Sequence, residues 1–380
     1  MKTKISDANF PKSVEGRVYH LGLRAGELAS RIITVGDPAR ARTIARYLDP
    51  SPPSGNVTGE ESTSEQSVRP LLFELYSERG FLTLTGKYKG VPVSIVSIGM
   101  GAPNMDFFVR EGREVLDGAE DGDMLIIRFG SCGGLVNSLP VGSLTVPKAS
   151  IAITRNYDYD FLSDEDEAEE FKQAYRLSKP VNADGELHTL LLDTLRENLP
   201  SSVPIIDEHL NASADSFYSS QGRITSFPDH NNGLIDYLVT QNVGSLEMET
   251  FHLLHLAANW PRSSAPLHQA DEKEEQQEPP PLTSMAVDPF ILPSSSALST
   301  DISSGDSPSS VPRLNGHKHS HTPMRRIRAA AVQMIFAERN SRAFISPQEV
   351  AILQEGSARG LLETLIKWRA THSPKLRSSI

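Results

Sequence analysis

The sequence predicts a layered α/β domain, because short apolar runs ending in glycine alternate with helical stretches along most of its length. Two of those runs are followed closely by an arginine among glycines, and in open α/β sheets ligands bind where strands end. With 380 residues, 38% of them hydrophobic, the chain can bury a sizeable core.

The elements follow in order. Arg31–Val35 is a strand that meets Gly36-Asp37-Pro38-Ala39-Arg40, where aspartate and proline suit a helix start. Glu78-Arg79-Gly80-Phe81 precedes the strand Leu82–Tyr88. Residues 92–98 form another strand, closed by Gly99-Met100-Gly101, and Asn104 then opens a helix with apolar positions at Phe107, Phe108 and Val115. Residues 124–129 are a buried strand, and a glycine-rich loop is expected at 130–134. Short strands follow at 142–147 and 150–153, then a buried helix at 250–257. A small-residue strand at 327–337 and a closing helix at 354–369 complete the pattern.

Three segments depart from globular composition. Residues 51–68 are a polar loop, 163–170 an acidic run, and 261–326 a proline-, serine- and glutamate-rich insert. The insert buries too little apolar surface to offset its ordering entropy, so disorder is expected there, whereas 51–68 reads as a solvated loop and 163–170 as a surface loop or helix start. The reading is therefore one domain over 1–380, with the insert as an excursion between a helix and its next strand. His317, His319 and His321 lie in the insert, where no rigid element would hold them on a metal.

A formal charge of −11 argues against a general nucleic-acid binder, and any anion site must then be made by local arginines. No apolar run is long enough to span a bilayer, and the start Met1-Lys2-Thr3-Lys4-Ile5-Ser6-Asp7 lacks a secretory hydrophobic segment. Cys132 is the only cysteine, which excludes an internal disulfide. A cytoplasmic protein without membrane association is expected.

The chemistry concentrates in Met124 to Gly134. An arginine near the end of a buried strand is costly unless an anion meets it, and adjacent glycines let backbone N–H groups approach that anion. The competing reading is a tight turn with a salt-bridged arginine. Gly36 with Arg40, Arg128 with Ser131, and Arg79 repeat the same signal. Singly, each arginine reads as a surface or ion-pair residue. Together they describe a phosphate cradle of three guanidinium groups, a hydroxyl and a backbone N–H.

Five boxes in this order carry a family resemblance: Val18-Tyr19-His20-Leu21-Gly22-Leu23, Gly36 to Arg40, Arg128 to Gly134, Ser216-Phe217-Tyr218-Ser219-Ser220-Gln221-Gly222-Arg223, and Glu247-Met248-Glu249. They resemble the nucleoside phosphorylase family, in particular its uridine-cleaving members. The resemblance implies a central mixed, twisted β-sheet flanked by helices. It also implies a phosphate site of Gly36, Arg40, Arg128 and Ser131, completed by Arg79 from a neighbouring subunit. Ser131 would span phosphate and ribose, Glu249 would accept from the ribose hydroxyls, and Met248 would lie along the sugar. His20 would reach the 5′-hydroxyl across an interface. Glu247 is assigned equally to a structural or a direct role.

Phe217, Gln221, Arg223 and Arg339 would form the base site. Purine-specific relatives place an aspartate after the late strand, whereas this chain has Arg339 there, beside Glu338. The implied reaction is reversible phosphorolysis of uridine, with deoxyuridine or thymidine as further substrates, in pyrimidine salvage or nucleoside catabolism. Arg128, Glu249, Gln221 and Arg223 would carry the catalysis. No cofactor is implied, since inorganic phosphate is a co-substrate. A homo-oligomer is implied, with a dimer as the minimal unit and a hexamer as the full assembly.

Some relatives bind a monovalent cation through a glutamate and a serine, where this chain has Gly80 and Asn104, so no metal is expected. Cys132 has no base beside it in the sequence and reads as a packing residue. The rival readings are a purine or methylthioadenosine phosphorylase, a water-using nucleosidase, and a nucleoside-binding protein without turnover.

Overall fold

The continuous apolar run that opens Met124–Gly134 builds the centre of the molecule. In the computed structural model, which describes residues 5–50, 73–116, 123–162, 171–260 and 326–372, this strand is paired on both edges. Ile327–Glu338 runs parallel to it along its whole length. On the other edge Arg31–Val35 pairs in parallel with its first half, and Val243–Glu247 pairs antiparallel with Gly133 and Gly134. Beyond Arg31–Val35 come Val91–Ser97, Leu82–Tyr88 and Phe73–Tyr76, and beyond Val243–Glu247 come Leu210–Ala214, Ala149–Arg155 and Tyr175–Leu177. The sheet is mixed, as expected, and helices cover both faces.

Side chains on successive strand residues face opposite ways, so the two faces have separate cores. Ile33, Ile127 and Val332 pack with Leu187 and Leu191 of helix Gly185–Asn198 and with Leu361 and Leu365 of helix Pro347–His372. Ile32, Ile126 and Ala329 pack on the other face with Met105 and Phe108 of helix Ala102–Val115 and with Leu253 of helix Thr250–Asn259. Arg128 shares the side of Ile126 by the period-two rule, which points it among these last two helices.

Two expectations are corrected. The glycine-rich segment 130–134 is strand rather than loop, because Ile327–Glu338 continues beside it and Val243–Glu247 takes over its other edge. The glycines serve close approach: a Cβ on Gly134 would lie 2.7 Å from the Leu139 carbonyl oxygen. The closing helix begins at Pro347, not at 354, because Ser346 and Glu349 cap it reciprocally. Ser346 N–H donates to Glu349 Oε2 at 2.8 Å, and Glu349 N–H donates to Ser346 Oγ at 3.3 Å. The expected polar segments 51–68 and 163–170, and the insert except Arg326, lie outside the described residues. No described helix is long and apolar enough to cross a membrane.

Candidate active site

Three chain turns and one strand meet at one end of the sheet: Gly36 after Arg31–Val35, Gly99 to Gly101 after Val91–Ser97, Met248-Glu249 after Val243–Glu247, and the second half of the strand Met124–Gly134. They surround a pocket of about 410 Å³. Gly36, Arg40, Arg128 and Ser131 line one part of it. Asp37 caps helix Pro38–Ala45 by accepting from Arg40 N–H at 2.9 Å, and Pro38 presets the first turn. That geometry carries the Arg40 side chain inward. Arg40 and Arg128 are only 6% and 4% exposed, so both charges are dry.

Their partners are few. Arg128 Nη2 donates to Glu249 Oε2 at 2.6 Å. Arg40 Nη1 donates to the Phe129 carbonyl at 3.3 Å, and its nearest carboxylate, Asp37, is 3.7 Å away. Arg40 Nε, Arg128 Nε and Arg128 Nη1 are buried without a hydrogen-bond partner. Burial, opposed by Asp37 and reinforced by the charge of Arg128, pushes the Arg40 guanidinium down to about 10. An oxyanion in this pocket would satisfy the orphaned N–H groups and offset the repulsion between the two arginines. Inorganic phosphate should therefore raise the melting temperature, by about 2.7 kcal/mol of stabilisation at a hundredfold excess over its Kd. A melting temperature that responds equally to phosphate and to chloride would show that these arginines recognise no oxyanion.

Glu249, 4% exposed, spans this part of the pocket and the next. Besides Arg128, it accepts from Gly101 N–H at 2.6 Å through Oε1. Glu247 does different work. Its carboxylate accepts from Glu249 N–H at 2.8 Å, Thr250 N–H at 2.9 Å, Asn211 Nδ2 at 2.9 Å and the Ser213 hydroxyl. It thus caps helix Thr250–Asn259 and fixes the turn that presents Met248 and Glu249. Burial, then the neighbouring Glu249 charge, raises the Glu247 carboxyl above its ordinary value. Of the two roles considered for Glu247, these bonds favour the structural one, although it also borders the pocket.

Phe217, Gln221 and Arg223 also line the pocket. Arg223 lies 3.8 Å over the Phe217 ring and donates from Nη1 to the Phe217 carbonyl at 2.7 Å and to Gln221 Oε1 at 2.6 Å. Burial and the charge of Arg339 push the Arg223 guanidinium down to about 10. Asn231 ties the loop from outside, donating to the carbonyls of Ser219 and Arg223 at 3.0 and 3.1 Å. Gly222 sits at φ +61, and a Cβ there would lie 2.8 Å from Ile235 Cγ1. Arg339, expected against the base, does not line the pocket. Its Nη2 donates to the carbonyls of Gln221 and Gly222 at 2.9 and 2.8 Å, so it braces the loop that carries Gln221 and Arg223.

His20 and Arg79 also lie away from this pocket. His20 stacks on Phe107 with ring centroids 3.7 Å apart, and its Nδ1 bonds Glu111 Oε1 at 2.7 Å. Arg79 bonds the Tyr19 hydroxyl and lies 4.8 Å over that ring, while Tyr19 packs edge-on against His20. The two residues thus share one patch. Cys132 borders the pocket, but burial pushes its thiol well up, and Sγ–H donates to the Met334 carbonyl at 3.7 Å. It is a packed thiol, not an activated one.

Sequence reasoning missed the apolar wall of Met100, Leu246, Phe336 and Phe344, and missed Asp37 as a lining residue. Phe336 was visible as the aromatic end of the late strand. The others carry no chemical signature of their own. Among the described residues, no cluster of three or more histidine, cysteine, aspartate or glutamate side chains suits a metal.

The structure thus combines an open mixed α/β sheet with a pocket at its strand ends that holds two buried arginines. Residues 30–259 match the family model described as the phosphorylase superfamily, and the chain belongs to that family. It is 30% identical over 260 residues to a uridine phosphorylase of Thermococcus kodakarensis, covering 68% of this chain and 78% of the relative. It is 25% identical over 253 residues to a DeoD-type purine nucleoside phosphorylase of Oceanobacillus iheyensis, covering 64% and 83%. A solved structure from work on two diverse uridine phosphorylases of the oomycete Phytophthora capsici superposes with a TM-score of 0.66 at 31% identity, covering 96% of this chain and 99% of the other.

Proposed function

We propose that this protein catalyses reversible phosphorolysis of uridine, giving uracil and ribose 1-phosphate, with inorganic phosphate as co-substrate and no other cofactor. The observation that carries the reading is one pocket in which the orphaned N–H groups of Arg40 and Arg128 lie beside Glu249, with Gln221 and Arg223 also lining it. Phosphate binds the two arginines, with the Gly36 backbone and the Ser131 hydroxyl. Glu249 accepts from the 2′- and 3′-hydroxyls, Met248 packs along the sugar, and uracil lies against Phe217.

The chemistry follows from charge. Phosphate attacks C1′ on the face opposite the base, with inversion, as the C1′–N1 bond breaks and its electron pair leaves with uracil. The transition state is an oxocarbenium ion between two anions, so stabilisation is needed at both ends. Arg40 and Arg128 hold phosphate next to the cationic sugar. Arg223 donates to the uracil oxygen that gains charge. With Gln221 Oε1 already accepting from Arg223, Nε2 is oriented to donate to a uracil carbonyl. The second lone pair of Oε1 takes the N3–H. A 6-amino purine has no carbonyl oxygen to receive the Arg223 guanidinium, which favours a pyrimidine.

Arg79 and His20 share a patch apart from the pocket. In this reading they complete the pocket of a second copy, making a dimer the minimal unit and a hexamer of three dimers the full assembly. Arg223→Ala should reduce kcat/KM for uridine by about a hundredfold, the usual cost of one transition-state donor, with phosphate KM unchanged. Equal losses in both would mean Arg223 does not serve the leaving base.

The test of specificity is an assay of uridine, thymidine, inosine and adenosine, each with phosphate. The proposal expects uridine to be cleaved fastest. Faster cleavage of inosine would overturn the pyrimidine assignment and favour the purine chemistry named for the Oceanobacillus relative.

A further inference from the structure

Between Ala329 and Ala337 the strand Ile327–Glu338 contains one polar residue, Gln333, and it is fully buried. Its Nε2 donates to the Thr250 hydroxyl at 2.8 Å. Its Oε1 is buried with no hydrogen-bond partner. A buried amide with one end anchored and one end unpaired is costly, and a strand this rich in alanine and valine needs no glutamine for packing.

Register shows what Gln333 faces. It pairs with Gly130, and Arg128 lies two residues before Gly130 on the same face of the sheet. A side-chain carbon built on Gly130 would lie 3.6 Å from Arg128 Nε and 3.6 Å from Gln333 Cγ. Gly130 thus leaves an open position between the arginine and the glutamine. Arg128 Nε is itself buried without a partner. The side chains that carry an unpaired donor and an unpaired acceptor border the same gap.

We propose that Gln333 is a positioning residue for the phosphate arginine: its Oε1 receives Arg128 Nε–H when the guanidinium turns from Glu249 towards the anion. This rests on the reading of the pocket as a phosphate site. Glu249 holds Arg128 through Nη2. Phosphate binding draws that guanidinium away and leaves Glu249 for the ribose. Gln333 gives Nε–H a partner in the new position and so lowers the cost of the move. Thr250, the first residue of the helix after Glu249, holds the other end of the amide. One glutamine then links the phosphate arginine to the helix that carries the ribose carboxylate.

The experiment measures phosphate binding by calorimetry and phosphate KM by steady-state assay, on the full chain and three variants. Gln333→Leu keeps the volume and removes the acceptor. It should raise phosphate Kd and KM roughly ten-fold, while kcat and the nucleoside KM change by less than about three-fold. Gln333→Glu should weaken phosphate further, because its carboxylate competes for Arg128. Thr250→Val, which frees the anchor, should weaken phosphate in the same direction and keeps the test available if the leucine variant fails to fold. A glutamine that merely fills space predicts changes in melting temperature with phosphate Kd unmoved, and that result overturns the proposal. Absence of phosphate binding by the unaltered protein would instead overturn the reading of the pocket.

Discussion

Arg128→Met should abolish phosphate-dependent turnover, with a loss of about two to four orders of magnitude in kcat/KM for phosphate. Two charge-assisted hydrogen bonds to phosphate, each about 1.5–3 kcal/mol, give that range at about 1.4 kcal/mol per decade. Arg128 is buried, bonded to Glu249 at 2.6 Å, and carries two further N–H groups with no partner. Methionine keeps much of the volume and removes every donor. It also strands Glu249, whose other oxygen still accepts from Gly101 N–H. The single variant should therefore melt lower as well. Adding Glu249→Gln removes the stranded charge, so the double variant should regain stability without regaining activity. Because Glu249→Gln is itself costly to turnover, the deciding readout is phosphate binding, and its recovery in the double variant would show that Arg128 serves the fold and not the anion.

Glu249→Gln has the second-largest expected effect, and its sign is the more diagnostic. Loss of the carboxylate that receives two ribose hydroxyls should lower kcat/KM for uridine by about two to three orders of magnitude, from charged hydrogen bonds of about 1.5–3 kcal/mol each. Phosphate affinity should rise, because Arg128 loses the counter-ion that competes with phosphate. The penalty should be smaller for deoxyuridine, which has no 2′-hydroxyl to lose. Equal penalties on the two nucleosides would contradict the placement of Glu249 at the 2′-position. A fall in phosphate affinity would contradict the exchange of partners at Arg128.

Much of this site was legible because its chemistry is local in sequence. Gly36 to Arg40 declares a strand end, a cap and an inward arginine within five residues, and the structure has each of them. Arg128 was legible as a costly charge in an apolar run. The extent of its strand was not. Glycine normally punctuates a strand, and pairing with two distant strands, Ile327–Glu338 and Val243–Glu247, keeps 130–134 extended. The capping role of Glu247 depends on Asn211 and Ser213, which lie on a neighbouring strand that carries no strong alternation. Arg339 was read as a base contact from its position after the late strand, yet two backbone carbonyls of the base loop claim it. Contacts that join distant segments decide these roles, and spacing along the chain does not encode them.

The central claim is that phosphate, not water, attacks the sugar. Uridine cleavage should be followed while phosphate is varied from none to saturation, with the sugar product identified by phosphorus NMR. The account predicts uracil release that saturates with phosphate and yields ribose 1-phosphate. Undiminished uracil release without phosphate, with free ribose as the product, would contradict it.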